Sequence, residues 1–527
     1  MLHFGLKIRL KQQQKTGLNI LKMNKIFLNN ELAEIIKKIK KKKQTVALLH
    51  GVFDVLHVGH ISYFEDIKKQ ADKLIISLTD DEFVNKGPGR PMFKIRERIK
   101  MLSKIDLVDF ITVSKSETAE KIIKVIKPNY YAKGKDYKNK KNDITKNIYK
   151  EIKAIKSVGG KFIVANTPMH SSTKIINNET NFLSDEVKEY LEDIDKDNLK
   201  NKYLSFLKKR LNKRILVIGE PIIDVYNYVQ IQGKSSKNNI LSSKHLSTTS
   251  FGGGTILVTN VLKEFMNKID FVIFYNNHNK KYTNKFLLDK KIKLKKIKDK
   301  NCKFIIKKRF IDKYSNNRLY QINYNDDYSH IDKAGSKINE FIKKNHKDYD
   351  YIVVFDFGHN LINDDLVKTL EKLNKKTFIN CQSNSSNFGF NLVSKYSKAN
   401  TISMDEQEFR LSVQDKNTSV KKLININKNF IKKFENFIIT MGKYGCYHIT
   451  KKLITFSPTV YSTFKDTTGS GDVFFSIYIA LKISKKFTDK EICLICHIAA
   501  GLHANNIGND KIFDLRTLFK SLDLILK

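Results

Sequence analysis

Between residues 45 and 165 the chain alternates two patterns. Short apolar runs at 45–49, 73–78, 110–113 and 161–164 are separated by stretches (65–70, 95–102, 119–126) in which apolar residues recur every three or four positions. The runs predict strands buried on both faces, and the recurrent stretches predict helices with one apolar side. From residue 214 the alternation starts again, with strands predicted at 214–219, 271–274, 351–355 and 437–440. Strand and helix in alternation imply an α/β chain with mostly parallel, doubly wound sheets covered on both faces. Residues 178–213 hold no glycine or proline and carry apolar residues at helical spacing among charges, which predicts a helical connector. The expected organisation is therefore an N-terminal extension and helix (1–44), a first domain (45–177), a helical linker (178–213) and a second domain (214–527). No internal repeat of fixed period points to a solenoid.

A length of 527 residues suits several domains rather than one core. The formal net charge of +43 invites a nucleic-acid reading, yet no basic run is interleaved with stacking aromatics. Abundant Lys, Asn and Ile with six prolines and no tryptophan is what an A+T-rich genome produces, so the charge is read as background composition. The five cysteines are odd in number and scattered, which is no disulfide framework, and a reducing cytoplasm is expected. No stretch approaches 18 consecutive apolar residues, so no membrane partner is expected. The first 22 residues are basic without the apolar core of a signal peptide, and Met23 is an alternative start. The run 37–43 is read as the basic end of a helix.

Two turns carry chemistry. The first, Gly51-Val-Phe53-Asp54-Val-Leu-His57-Val-Gly-His60, follows the first strand. A helix starting near Gly59 would favour an anion there, and two imidazoles could donate hydrogen bonds to phosphate oxygens as charge builds. The residues alone also fit a surface histidine pair at a helix start, or half of a zinc site without nearby thiolates.

The blocks GVFDVLHVGH (51–60), KGPGRPMFKIRER (86–98), SETAEKIIKVIKPNYYAKGKDY (116–137) and HSSTKII (170–176) stand in order over residues 47–177. This region resembles the cytidylyltransferase-like nucleotidyltransferases, especially the nucleotidyltransferase half of bifunctional heptose-phosphate kinase/adenylyltransferases. The resemblance implies a Rossmann-like fold in which His57 and His60 hold the triphosphate and Gly51, Phe53 and Asp54 shape the turn. It implies that Arg90 and Arg98 bring positive charge near the phosphates. It further implies that Lys133, Gly134 and Asp136 line the nucleotide or sugar-phosphate cleft, and that Ser172 and Thr173 open the last helix onto the triphosphate. Class I aminoacyl-tRNA synthetases share the histidine motif, but no KMSKS-like signature is found.

The second turn, Asp466-Thr-Thr-Gly469-Ser470-Gly471-Asp472, feeds an apolar helix. Successive N–H groups there would form an anion hole, and Asp472 could accept a proton from an attacking hydroxyl; a helix-capping aspartate after a flexible turn is the bland alternative. Together with RILVIGEPIIDVY (214–226), FGGGTILVTN (251–260) and ITMGKYG (439–445), this motif makes residues 214–527 resemble the ribokinase-like (PfkB) carbohydrate kinases. The resemblance implies Asp472 as base and Gly469, Ser470 and Gly471 as anion hole. Thr440, Gly442 and Gly445 would lie on the nucleotide side. Asp224, Gly252, Gly253, Asn260 and Arg309 would lie on the sugar side, and Glu408 would be linked to magnesium through the Asp405-Glu406-Gln407-Glu408 motif. Ile256 stands where many members have an asparagine.

The two resemblances imply a bifunctional enzyme of NDP-sugar biosynthesis that uses ATP (or CTP in the first domain) and Mg2+, with its halves in the reverse of the heptose enzymes' order. Its partners would be sugar phosphates and nucleoside triphosphates, with no specific nucleic acid, and a homodimer is left open. The alternatives are a CTP-dependent alcohol-phosphate cytidylyltransferase fused to a kinase of other or lost specificity, and a sensor whose kinase half no longer turns over. Cys493 and Cys496, in an apolar helix, are read as buried structural cysteines rather than a redox or metal pair.

Overall fold

The computed structural model describes residues 25–84, 90–135, 147–165, 183–235, 238–324, 328–461, 464–509 and 513–526. The chain forms two compact units, one up to Phe182 and one over Leu183–Leu526.

The first unit is built on five strands: β1 (Val46–Gly51), β2 (Lys73–Thr79), β3 (Phe110–Ser114), β4 (Tyr130–Lys133) and β5 (Lys161–Val164). All neighbouring pairs are parallel, in the order β3-β2-β1-β4-β5. Alternate residues feed two cores. Ala47, Leu49, Leu74 and Ile76 pack with Phe64 and Leu102 on one face, and Val46, Leu48, Ile75 and Tyr131 pack with Leu32, Ile123 and Ile155 on the other. The strands are apolar on both sides because helices cover both sides. The strand order reverses between β1 and β4, and in such sheets the crevice beyond the carboxyl ends at that switch point receives ligands. The helix Asn29–Lys41 ends in Lys38, Lys40 and Lys41, so part of the lysine run does sit at a helix C-terminus.

The second unit carries a nine-stranded sheet made of β6 (Ile215–Gly219), β9 (Ile269–Tyr275), β10 (Ile292–Lys298), β13 (Tyr351–Asp356), β14 (Thr377–Cys381), β15 (Thr401–Asp405), β16 (Asn436–Thr440), β17 (Cys446–Thr450) and β18 (Ile454–Ser457). Their order is β10-β9-β6-β13-β14-β15-β16-β17-β18, parallel up to β16 and antiparallel beyond it. A separate four-stranded sheet, β12-β11-β7-β8, is formed by β7 (Pro221–Lys234), β8 (Leu241–Gly254), β11 (Ile305–Asp312) and β12 (Arg318–Tyr324). The apolar pattern did not announce this small sheet. Most of β8 is an exposed Ser/Thr/Lys/His run, held by antiparallel pairing to β7 rather than by burial.

Residues 185–208 form two helices, Asp185–Glu192 and Lys196–Lys208, separated at Asp195, whose carboxylate accepts the Asn198 N–H. Both pack on the second unit. Tyr203 stacks on Phe519, the Tyr190 hydroxyl donates to Lys490 O at 2.8 Å, and Lys202 pairs with Glu491 at 2.9 Å. All five cysteines are free thiols and buried. Among the described residues no helix is long and apolar enough to cross a membrane.

Candidate functional sites

The turn after β1 is set by its backbone. Phe53 takes φ +49°, a left-handed conformation that costs a bulky side chain energy, and its buried ring packs against His60 and Phe64 at centroid distances of 5.6 and 5.8 Å. Gly51 lies against the same ring, where an added Cβ would stand 3.2 Å from Phe53 Cε2. The helix Val58–Lys68 then begins, with His57 as its N-cap. His57 Nδ1 accepts the Gly59 N–H at 3.1 Å, and His60 Nδ1 accepts the His57 N–H at 3.4 Å. An imidazole that accepts at Nδ1 is neutral and carries its proton on Nε2. The two rings lie 4.1 Å apart, centroid to centroid.

Asp54, buried beside them, accepts hydrogen bonds from Met92 N and Phe93 N and pairs with Arg90 Nη1, each at 3.0 Å. It therefore anchors the segment that follows residue 89 to the histidine turn. The Arg90 side chain is 2% exposed, and its Nε and Nη2 have no partner among the described residues. Arg98 departs from its expectation. It is wholly buried, and its guanidinium donates to Phe93 O, Val52 O, Thr79 O and Asp81 Oδ1. Four of its five N–H groups are spent on protein, so it ties three loops together rather than facing a phosphate. Lys133, at the end of β4, reaches across the switch point to His50 O at 3.3 Å and lies 3.7 Å from Glu151; Gly134 beside it is buried. Asp136, Ser172 and Thr173 lie outside the described residues.

The sequence reading passed over His50, on β1 directly before Gly51. Its Nδ1 meets Ser77 Oγ at 3.2 Å, its Nε2 is buried without a partner, and burial, with Lys133 nearby, pulls its pKa down to about 3. A polar residue near the end of an otherwise apolar strand is the signal that marks it.

In the second unit a cavity of about 570 Å³ gathers Thr440, Gly442, Gly445, Gly469, Ser470, Gly471 and Asp472 with Glu408, Gln382 and His497. The predicted nucleotide side is thus one enclosure, made from the ends of β14, β15 and β16 and the start of the helix Ser470–Ser484. Gly469 turns the chain at φ +77°, where a Cβ would stand 2.7 Å from Leu257 and 2.9 Å from Asn509, so no other residue fits unstrained. Ser470 Oγ is buried without a partner. Asp472, 7% exposed in the first helical turn, accepts from Gln382 Nε2 at 2.6 Å. Burial pushes its pKa up to about 7, against the opposing pull of the Gln382 hydrogen bond. A carboxylate so raised is half-deprotonated at neutral pH, as a general base requires.

At the predicted sugar side Asp224 is buried, ion-paired with Arg309 and 3.4 Å from Asn509 Nδ2. Gly253 admits it, since a Cβ there would stand 2.1 Å from Asp224 Oδ2, and Gly252 lies against Ile256. Asn260 does not join this group. Its two amide hydrogens go to Ile256 O and Phe286 O, and its oxygen accepts from Lys263, which ties the helix Thr255–Leu262 to Phe286. Asn509 instead supplies a polar contact, and through its bond with His503 Nε2, which also meets Thr468 O, it links Asp224 to the glycine turn. Asn509, His503 and Gln382 are single polar residues in unremarkable surroundings, and no local pattern singles them out.

Glu408 closes a capping box. One oxygen accepts the Asp405 N–H and the other the Ser383 N–H, each at 2.7 Å, while burial and Asp405 push its pKa up to about 8. Among the described residues no group of three His, Cys, Asp or Glu side chains could hold a metal ion. The described donors therefore do not form a three-ligand metal site by themselves. Cys493 and Cys496 are fully buried in the helix Asp489–Ala504.

Comparison with known proteins agrees with this division. Residues 48–178 match the family model described as cytidylyltransferase-like, and residues 212–502 match that of the pfkB family carbohydrate kinases. The chain is 37% identical over 110 residues to the bifunctional protein HldE of Desulfatibacillum aliphaticivorans, covering 20% of this chain and 22% of that one. It is 35% identical over 142 residues to HldE of Campylobacter fetus, covering 27% and 29%. The matches thus span less than a third of these relatives' length. Among solved structures, ribokinase from Thermotoga maritima superposes with a TM-score of 0.46 at 15% identity, over 58% of this chain and 98% of that one. Arabidopsis thaliana ribokinase complexed with ribose and ATP gives 0.45 at 13%, over 59% and 99%.

Proposed function

Because the chain belongs to the pfkB family of carbohydrate kinases, we propose that its second unit phosphorylates a sugar or sugar phosphate with ATP, and that its first unit is a nucleotidyltransferase. The observation that carries the kinase reading is Asp472, a buried carboxylate with a pKa of about 7, in the first turn of the helix whose glycine turn lines the cavity. Asp472 takes the proton of the acceptor hydroxyl while the hydroxyl oxygen bonds to the γ-phosphorus and the bond to the β-phosphate oxygen breaks, releasing ADP. Asp224 and Arg309 orient the sugar, and Gly469, Ser470 and Gly471 hold the phosphoryl oxygens. A divalent cation arriving with the triphosphate supplies charge neutralisation.

In the first unit an oxygen of a sugar-1-phosphate attacks the α-phosphorus of ATP or CTP, and pyrophosphate leaves. His57 and His60 donate from Nε2 to the phosphate oxygens, and Arg90 and Lys133 add positive charge. The relatives named bifunctional HldE support two activities in one chain. A cytoplasmic location fits five free, buried cysteines.

The test follows both products on wild-type protein. Sugar-1-phosphates with ATP or CTP release pyrophosphate, and a panel of sugars and sugar phosphates with ATP yields ADP. Pyrophosphate released with CTP and glycerol phosphate, and with no sugar phosphate, would overturn the first half of the reading.

A further inference from the structure

Lys307 stands on β11 directly opposite Asp224 of β7 on one side and Asn323 of β12 on the other. Partners across a ladder point to the same face, as do alternate residues along a strand, so Lys307 shares its face with Asp224, Asn323 and Arg309. That face meets the loop after β14, where Asn323 Nδ2 donates to Ser385 Oγ at 3.3 Å. The same loop bonds Asp472 through Gln382. Lys307 therefore lies between the sugar-side carboxylate and the base.

Its surroundings leave it unused. Arg309 and Asn509 hold Asp224, Glu220 accepts from Phe357 N and His359 N, and Asp472 accepts from Gln382. The Lys307 side chain, half-buried, makes no hydrogen bond or ion pair among the described residues. Burial lowers its pKa, the cost of a cation withdrawn from water, while Asp224, Asp472 and Glu220 favour its charge. The next residue, Lys308, turns to the opposite face, where its Nζ lies 4.5 Å from the centroid of the Tyr324 ring. An unpaired ammonium between a sugar-binding carboxylate and a base calls for an anion that arrives with the substrates.

We propose that Lys307 is a further catalytic residue of the kinase reaction, its ammonium contacting the phosphoryl group in transit between the nucleotide and the acceptor hydroxyl. This rests on the kinase reading above. Lys307 forms no covalent bond and keeps its proton; the acceptor O–P bond forms, the bond to the β-phosphate oxygen breaks, and the hydroxyl proton goes to Asp472. Preorganised charge of this kind is worth about 10²-fold in rate.

The test uses the full chain with Lys307→Met, Lys307→Arg and Lys308→Met, and the acceptor that gives the highest wild-type rate from a panel of five- to seven-carbon sugars and their terminal phosphates. Lys307→Met is expected to lower kcat about 100-fold with both KM values within about threefold, Lys307→Arg to recover about tenfold, and Lys308→Met to match wild type. A second readout is binding of ADP with aluminium fluoride, a mimic of the transferring phosphoryl group. Its preference over ADP alone should fall about 100-fold in Lys307→Met, with ADP affinity unchanged. An unchanged kcat, a loss confined to acceptor KM, equal damage from Lys308→Met, or weakened ADP binding with the mimic preference kept would overturn the assignment. If wild-type protein makes no ADP with any acceptor, the kinase reading fails instead.

Discussion

The two turns proposed to meet phosphate are built from different material. After β1 the proposed donors are side chains: two imidazoles whose Nδ1 atoms accept backbone N–H groups at the start of their own helix, which puts the ring proton on Nε2, with Phe53 held in a left-handed conformation beside them. At 469–472 the chain turns at a left-handed glycine, the Ser470 N–H is spent on Thr467 O, and the side chain proposed to react is a carboxylate made basic by burial. The first turn is shaped by polar props, Asp54 and Arg98, and the second by close approach, since Gly469 leaves no room for a Cβ. An imidazole turn therefore depends on what holds its loops together, whereas a glycine turn depends on what is missing from its residues.

The largest expected effect falls on the carboxylate. Asp472→Asn should lower sugar-dependent ADP formation by about 10³-fold while pyrophosphate release stays at the wild-type rate. In wild-type protein the base works only when deprotonated, so with a pKa of about 7 kinase activity should fall roughly tenfold per pH unit below 7 and level off above it. A pH-rate profile with its acid limb near the ordinary carboxylate range would show that burial does not tune this group.

A smaller effect tests the prop. Arg98→Ala strips a buried cation from three carbonyls and Asp81 and should destabilise the first unit by about 3 kcal/mol, read as an earlier thermal transition, with ADP formation unchanged at 25 °C. If Arg98→Ala instead keeps its unfolding temperature and raises KM for the triphosphate, Arg98 faces the ligand after all.

Local pattern carried four of the five strands of the first sheet, four of the nine of the second and both turns, because buried strands and glycine turns leave traces in a few consecutive residues. It could not separate Arg90 from Arg98, since an arginine that keeps unpartnered N–H groups and one whose N–H groups are spent on carbonyls read alike until the loops close. Asn260 shows the same limit: three residues away, Lys263 takes its oxygen, a contact that only the folded helix reveals. The small sheet was missed where β8 is exposed and polar, and with it Lys307, whose significance comes from the register of three strands rather than from its neighbours in sequence.

The claim that the chain holds two independent phosphate-handling sites is tested most directly by His60→Ala, with pyrophosphate release and sugar-dependent ADP formation measured on the same preparation. Pyrophosphate release should fall by at least about 10²-fold while ADP formation keeps its wild-type rate. Loss of both activities, or of neither, would contradict the account.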